Sequence, residues 1–264
     1  MGRRLTMVIA SLGIGWCAPK MPKKKPYVPP TPADIQEEIE IFRKEEEAAQ
    51  QTFFAYLGIR DLLAKRPDVL AAVNRNSLFW LTTNHALFVS TFIWLGRIFD
   101  QKSAHNVDLL LKAIEQNLPE LGRDALRKRK EEVITPQQAA DYVKERHETV
   151  IDDVRELRKQ VKAWRMIYEA VYGQVRDHLA HNKQGASEIE LFLAKTNIDE
   201  MKRMFGFLHA LHEALIELYL NGRKPLPLPD VSFDPPPARP RHPGDKAYAQ
   251  AQASLLSMIG ERPA

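Results

Sequence analysis

The feature that most constrains this chain is a seam of apolar residues. Val143, Val150, Val154, Leu157, Val161, Trp164, Tyr168, Val171 and Val175 recur at a spacing of seven and then of alternating four and three. Residues at those spacings share one face of an α-helix, so the pattern predicts one continuous helix whose seam is sustained for about nine turns at 3.6 residues per turn. Thr135-Pro136-Gln137-Gln138 opens it, with Thr to cap, Pro at the first helical position and Gln three residues on to close a capping box. Its end is expected near residues 180–183, before Gly185. No run alternates polar and apolar residues between turn signals, so no sheet is expected. The fold class is all-α, a bundle of about five core helices with one long helix.

The other helices follow from the same logic. Thr31-Pro32-Ala33-Asp34 offers a capping residue, a Pro at the first position and an acid at the positive end of the helix dipole. Ile35, Ile39, Phe42, Ala49 and Phe53 then form a stripe, with Glu45-Glu46-Glu47 mostly beside it, and the helix fades before Arg66-Pro67. A second helix, about residues 68–100, is apolar nearly all round, which predicts a place in the middle of the bundle. In it His85 falls in the stripe Leu78, Leu81, Phe88, Phe92 and reads as a core histidine. A third helix spans about 106–117, and a short one starts at Ser187. Thr196-Asn197-Ile198-Asp199 opens the last core helix, with a face of Met201, Phe205, Leu208, Leu211, Leu215 and Leu218, and Asn221-Gly222 stops it.

Proline sets the domain limits, because 15 of the 18 prolines lie in residues 1–32 or 221–264. Residues 1–30 read as a basic leader or as sequence ahead of a start at Met21, 31–222 as the helical domain, and 223–264 as a proline-rich tail with a short helix at about 246–259. The formal charge of +4 comes from the ends: residues 31–220 hold 26 basic and 30 acidic residues. Whole-chain basicity is therefore no sign of a nucleic-acid partner, and any phosphate contact must be local. The single cysteine, Cys17, excludes a disulfide framework and points to a reducing, cytoplasmic setting. Residues 76–96 carry no formal charge and are long enough to span a bilayer, but Asn76, Asn84, His85 and three Thr favour a buried helix, so no membrane is expected.

The usual catalytic signatures are absent: no phosphate-binding GxxxxGK[ST], no GxGxxG, no HExxH, no GxSxG. His178/His181 and His209/His212 each have the i,i+3 spacing that puts two imidazoles on one helix face, but no third ligand stands at a fixed offset. No metal and no cofactor are expected. What remains is Arg176-Asp177-His178-Leu179-Ala180-His181. An imidazole, with a pKa near 6.5, can take a proton from a ribose 2′-hydroxyl or return one to the leaving oxygen. A guanidinium can hold the phosphate as charge builds on it. An Arg followed by His at a comparable spacing also occurs at Arg203 and His209, so spacing alone decides nothing. Asp177 after the Arg and the helix-end position favour Arg176 and His181. His178 lies three residues after Val175, continues the seam and reads as a core-edge residue. Arg97 and Asp100 read as a structural ion pair, and Arg127-Lys128-Arg129-Lys130 as a solvated loop.

Arg176, the polar Asp177 and His181 four positions beyond it, at the end of a long helix in an α-bundle, resemble the HEPN superfamily. Phe79-Trp80 through Leu95-Gly96-Arg97-Ile98-Phe99-Asp100 resembles its AbiU-type branch, associated with phage abortive infection. The resemblance implies a homodimer whose two Arg/His elements face one cleft. It further implies a metal-independent endoribonuclease, or a toxin-like protein held by an antitoxin or other protein, acting on RNA. On that resemblance Arg176 binds phosphate, His181 is the acid–base and Asp177 positions them, with His178 as the other histidine open to the role. The rival reading is a non-catalytic helical module that dimerises through the seam and offers its proline-rich tail to a partner.

Overall fold

Pro32 starts the longest helix of the computed structural model, α1 (Pro32–Lys65), in a structure that describes residues 32–181, 194–230 and 242–261. The expected helix from Ser187, the second proline run and both chain ends lie outside the described residues. The α1 stripe Ile35, Ile39, Phe42, Ala49, Phe53 is buried as its spacing requires. Glu45 and Glu46 are buried with it rather than beside it, which the stripe alone did not disclose. Pro67 has no amide hydrogen to continue the ladder, so the chain restarts as α2 (Pro67–Asn74).

The helix expected over 68–100 is two helices. The Arg75 and Asn76 amides fold back onto Ala72 and Val73, and α3 (Ser77–Phe99) starts afresh. Only the C-terminal part of α3 enters the core, through Thr91, Phe92, Leu95, Gly96, Ile98 and Phe99. Leu78, Phe79 and Leu81 are 78%, 63% and 68% exposed. His85 is exposed too, so the central position and the core histidine are both corrected. An all-apolar helix needs a partner for every face, and its composition does not say that the partner is this chain. Among the described residues α3 is the one helix long and apolar enough to cross a membrane, with 17% of its apolar window buried.

Asn106 caps α4 (Val107–Gln116) by accepting the Leu109 amide at 3.0 Å. A 3₁₀ turn (Leu118–Leu121) leads into α5 (Arg123–Glu131) and α6 (Pro136–Val143), the latter opened by the expected Thr135/Gln138 capping box. The run 127–130 is helical rather than a loop. Within it Arg129 donates to the carbonyls of Glu120 and Tyr219 and lies 4.2 Å from the Tyr219 ring centre, a packing role.

The long helix is interrupted where the seam spacing is seven. Residues 144–150 leave the helix because tertiary hydrogen bonds outbid the local ones. The His147 amide donates to the Gly222 carbonyl at 2.9 Å and Thr149 Oγ1 to the Leu121 carbonyl at 2.8 Å. Val150 is left exposed, and its amide donates to Asp153 at 3.0 Å as α7 (Ile151–Ile167) begins. A π-helical segment (Tyr168–Tyr172) follows, then α8 (Gly173–His181). Val154, Leu157, Val161, Tyr168 and Val175 are buried in the chain's own core, and Trp164 and Val171 pack partly buried against it, so the seam is not a free dimerisation surface.

Asn197 caps α9 (Ile198–Asn221), all six residues of its expected face are buried, and Gly222 ends it at φ 62°, a left-handed conformation that suits glycine. The strap at 224–229 lays Leu226 and Leu228 on the core. His242 caps α10 (Pro243–Ser257), which packs along α1. Gly58 permits the approach, because a Cβ there would lie 2.7 Å from the Tyr248 carbonyl oxygen.

Candidate functional site

Three pieces of chain meet around Arg176: the C-terminal end of α3, the π segment, and the first turn of α8. A π turn widens the helix by one residue, and such segments gather at functional sites. Here it precedes Arg176 by four residues and is fastened by Tyr172, whose hydroxyl donates to Glu200 at 2.6 Å. Tyr168 at its other end stacks on Phe99 with ring centres 5.2 Å apart.

Arg176 is 22% exposed at its side chain and held by two carboxylates. Its Nε and Nη2 donate to Asp177 Oδ1 at 3.0 and 2.6 Å, and its Nη1 to Asp100 Oδ2 at 3.0 Å. Only three of the five guanidinium N–H groups are used in these bonds. Burial works against the Arg176 charge, but Asp177, Tyr168 and Asp100 together raise its pKa, so it stays a cation. Burial also pushes Asp100 up, yet the Lys102 amide and the Arg176 guanidinium prevail and hold it below the usual carboxylate range. Burial pushes the Tyr168 phenol well up, leaving a neutral hydroxyl beside the guanidinium. These residues, with Glu169, Gly173 and Gln174, line a cleft of about 120 Å³. Gly96 makes room for it: a Cβ there would lie 2.5 Å from Arg176 Cδ and 2.7 Å from Nη1.

The expected residues therefore fall as follows. Arg176 and Asp177 come together. His178 is half-buried, next to the half-buried Leu179. His181 is the last residue of α8, and the position of its side chain lies outside what the structure describes. Asp100 corrects the expected ion pair: Arg97 turns instead to Glu45 Oε1 at 2.7 Å and to the Trp94 ring, leaving Asp100 to Arg176. Sequence reading missed Asp100 and Tyr168 as cleft residues and Gly96 as the residue that makes room for Arg176, although Asp100 and Gly96 lie in the segment that carried the AbiU resemblance.

It also missed a local basic surface. Lys112 on α4 and Arg155, Arg158, Lys159, Lys162 and Arg165 on α7 line an open groove of about 630 Å³. Steps of three and four set these cations along one side of α7. Glu115 and Asp108 pair with Arg158 and Arg165 and fix their guanidinium groups. Gln101, next in the chain to Asp100, lines the same groove.

An all-α bundle with an Arg-centred cleft at the end of its long helix is the arrangement expected of a HEPN domain. The family model HEPN_AbiU2, described as AbiU2, matches residues 33–246. The chain belongs to this AbiU2 branch of the HEPN superfamily, and so to the HEPN domains related to abortive infection. Comparisons with curated proteins and with solved structures gave no match.

Proposed function

We propose that this protein is a metal-independent endoribonuclease of the toxin-like kind, acting as a homodimer in phage defence. The observation that carries the reading is Arg176, a buried-edge cation aimed by Asp100 and Asp177 on the wall of a cleft. A guanidinium fixed by two carboxylates loses little further freedom when its remaining N–H groups take a phosphate oxygen. Asp177 and Asp100 are positioning residues. His181 takes the proton of the ribose 2′-hydroxyl, and that oxygen attacks the adjacent phosphorus. The 5′-oxygen leaves with a proton returned by an imidazole, and a 2′,3′-cyclic phosphate remains. The basic groove on α7 receives the flanking phosphates. The purified protein is expected to cut RNA in EDTA and leave cyclic phosphate ends; RNA left intact under those conditions overturns the reading.

The dimer rests on α3. Leu78, Phe79 and Leu81 form an exposed apolar surface of the kind that marks an interaction site. From Ser77 to Ser90, ahead of the part buried in the core, α3 runs about 21 Å at 1.5 Å per residue. That is short of the roughly 30 Å hydrocarbon layer, so a second copy of the chain suits it better than a bilayer. Phe79→Glu is expected to convert a dimer to a monomer, read by light scattering after gel filtration, and to lower RNA cleavage with it. A wild type that is monomeric at micromolar concentration, or that sediments with lipid vesicles, contradicts this.

A further inference from the structure

A second cluster of titratable side chains lies between α1 and α9, and the proposed RNA chemistry does not use it. Glu46 stands in the middle of α1, and His209 and His212, an i,i+3 pair, share one face of α9. His209 Nδ1 is 3.1 Å and His212 Nδ1 3.8 Å from Glu46 Oε1. One ligand atom from each of the three residues lies within 4.8 Å of the others. Glu46 is 0% exposed, and Gln50 donates to its second oxygen. His212 is 4% exposed, and neither of its ring nitrogens has a hydrogen-bond partner among the described residues. A buried imidazole ordinarily donates from one nitrogen and accepts at the other, and leaving both unmet is costly. We propose that Glu46, His209 and His212 bind one divalent transition-metal ion of the zinc class, tying α1 to α9.

Two imidazoles and a carboxylate are a donor set that suits zinc rather than magnesium or calcium, which prefer oxygen alone. Donor atoms on one tetrahedral zinc lie about 3.3–3.5 Å apart, so small side-chain rotations close the observed spread. Gln50 supplies the outer hydrogen bond that orients the carboxylate. His209 also lines, with Glu213 and the strap, an open groove of about 460 Å³, which gives the ion a route in and leaves its fourth position to water. The ion is a structural tie, and the Arg176 chemistry does not pass through it.

The test uses the full-length protein, stripped with a chelator, dialysed, and titrated with Co²⁺ and then Zn²⁺. One equivalent per chain is expected, with the visible bands of four-coordinate Co²⁺ bleached as Zn²⁺ displaces it. At a hundredfold excess over Kd, Zn²⁺ is expected to raise Tm by about 5–10 °C. His212→Ala and His209→Ala are each expected to lose both the uptake and the shift, while His178→Ala, in the other histidine pair, keeps them. No stoichiometric uptake by the wild type, or undiminished uptake by folded His212→Ala, overturns the proposal. Should His212→Ala not fold, His209→Ala at its partly exposed position and the wild-type titration decide.

Discussion

Arg176→Ala is expected to lower RNA cleavage by about 10²–10³-fold, the usual cost of removing a preorganised group that meets developing charge. The loss has two sources. The cation that meets the phosphate is gone, and Asp100 and Asp177 remain at the cleft as unpaired carboxylates that repel it. Arg176→Lys restores the charge but not the fork that spans both carboxylates, and it is expected to recover only part of the rate. Gly96→Ala should act in the same direction without touching the charge, because its Cβ would occupy the space of Arg176 Cδ. Rates on a defined RNA, alongside Tm for each variant, separate this from a structural role. If Arg176 were only a clamp between α3 and α8, Tm would fall and the rate of the folded fraction would not.

Phe205→Ala is expected to destabilise the fold by about 3–5 kcal/mol, within the range found when a large core aromatic is truncated. Phe205 is fully buried, with its ring centre 5.0 Å from that of Phe53 and 6.2 Å from that of Phe54. Phe54 in turn lies 5.4 Å from the His242 ring that caps α10. The ring thus joins α9 to α1 and, through Phe54, to the start of α10. Those backbones are held at fixed separations by other contacts and cannot collapse into the space it leaves. For a domain whose total stability is of order 5–15 kcal/mol, the loss should lower Tm by roughly 10 °C or more, read by thermal denaturation with and without the substitution. A shift of only a degree or two would mean that this aromatic cluster is not the centre of the core.

Local patterns made much of the architecture legible. The stripe of α1, the Thr135 cap, the face of α9 and its Gly222 stop all depend on neighbours within a turn or two, and each is where its residues put it. The helix break at 144–150 depends on distant partners, such as the Gly222 carbonyl that takes the His147 amide across the fold. Periodicity carries no trace of such a partner. The same limit governed the site. Arg176 and Asp177 are sequence neighbours and were legible together, whereas Asp100 is 76 positions away. Its nearer cation, Arg97, offered a plausible local pair that the packing of α3 against α1 sends to Glu45. For the His209/His212 pair the missing third group was Glu46, 163 residues from His209 and brought to it by the crossing of α1 and α9. The apolar sequence of α3 suggests burial in this chain, but apolarity reports only the need for a partner.

The proposed cleavage runs through the Arg176/His181 element without a metal. The most direct measurement compares wild type with His181→Ala on RNA in EDTA, below the melting temperature of the metal-free protein, with both shown folded by circular dichroism. Wild type is expected to yield 2′,3′-cyclic phosphate ends and His181→Ala to cut at least a hundredfold more slowly, as the loss of a general acid–base group entails. Equal cleavage by the two proteins, or none by the wild type, contradicts it.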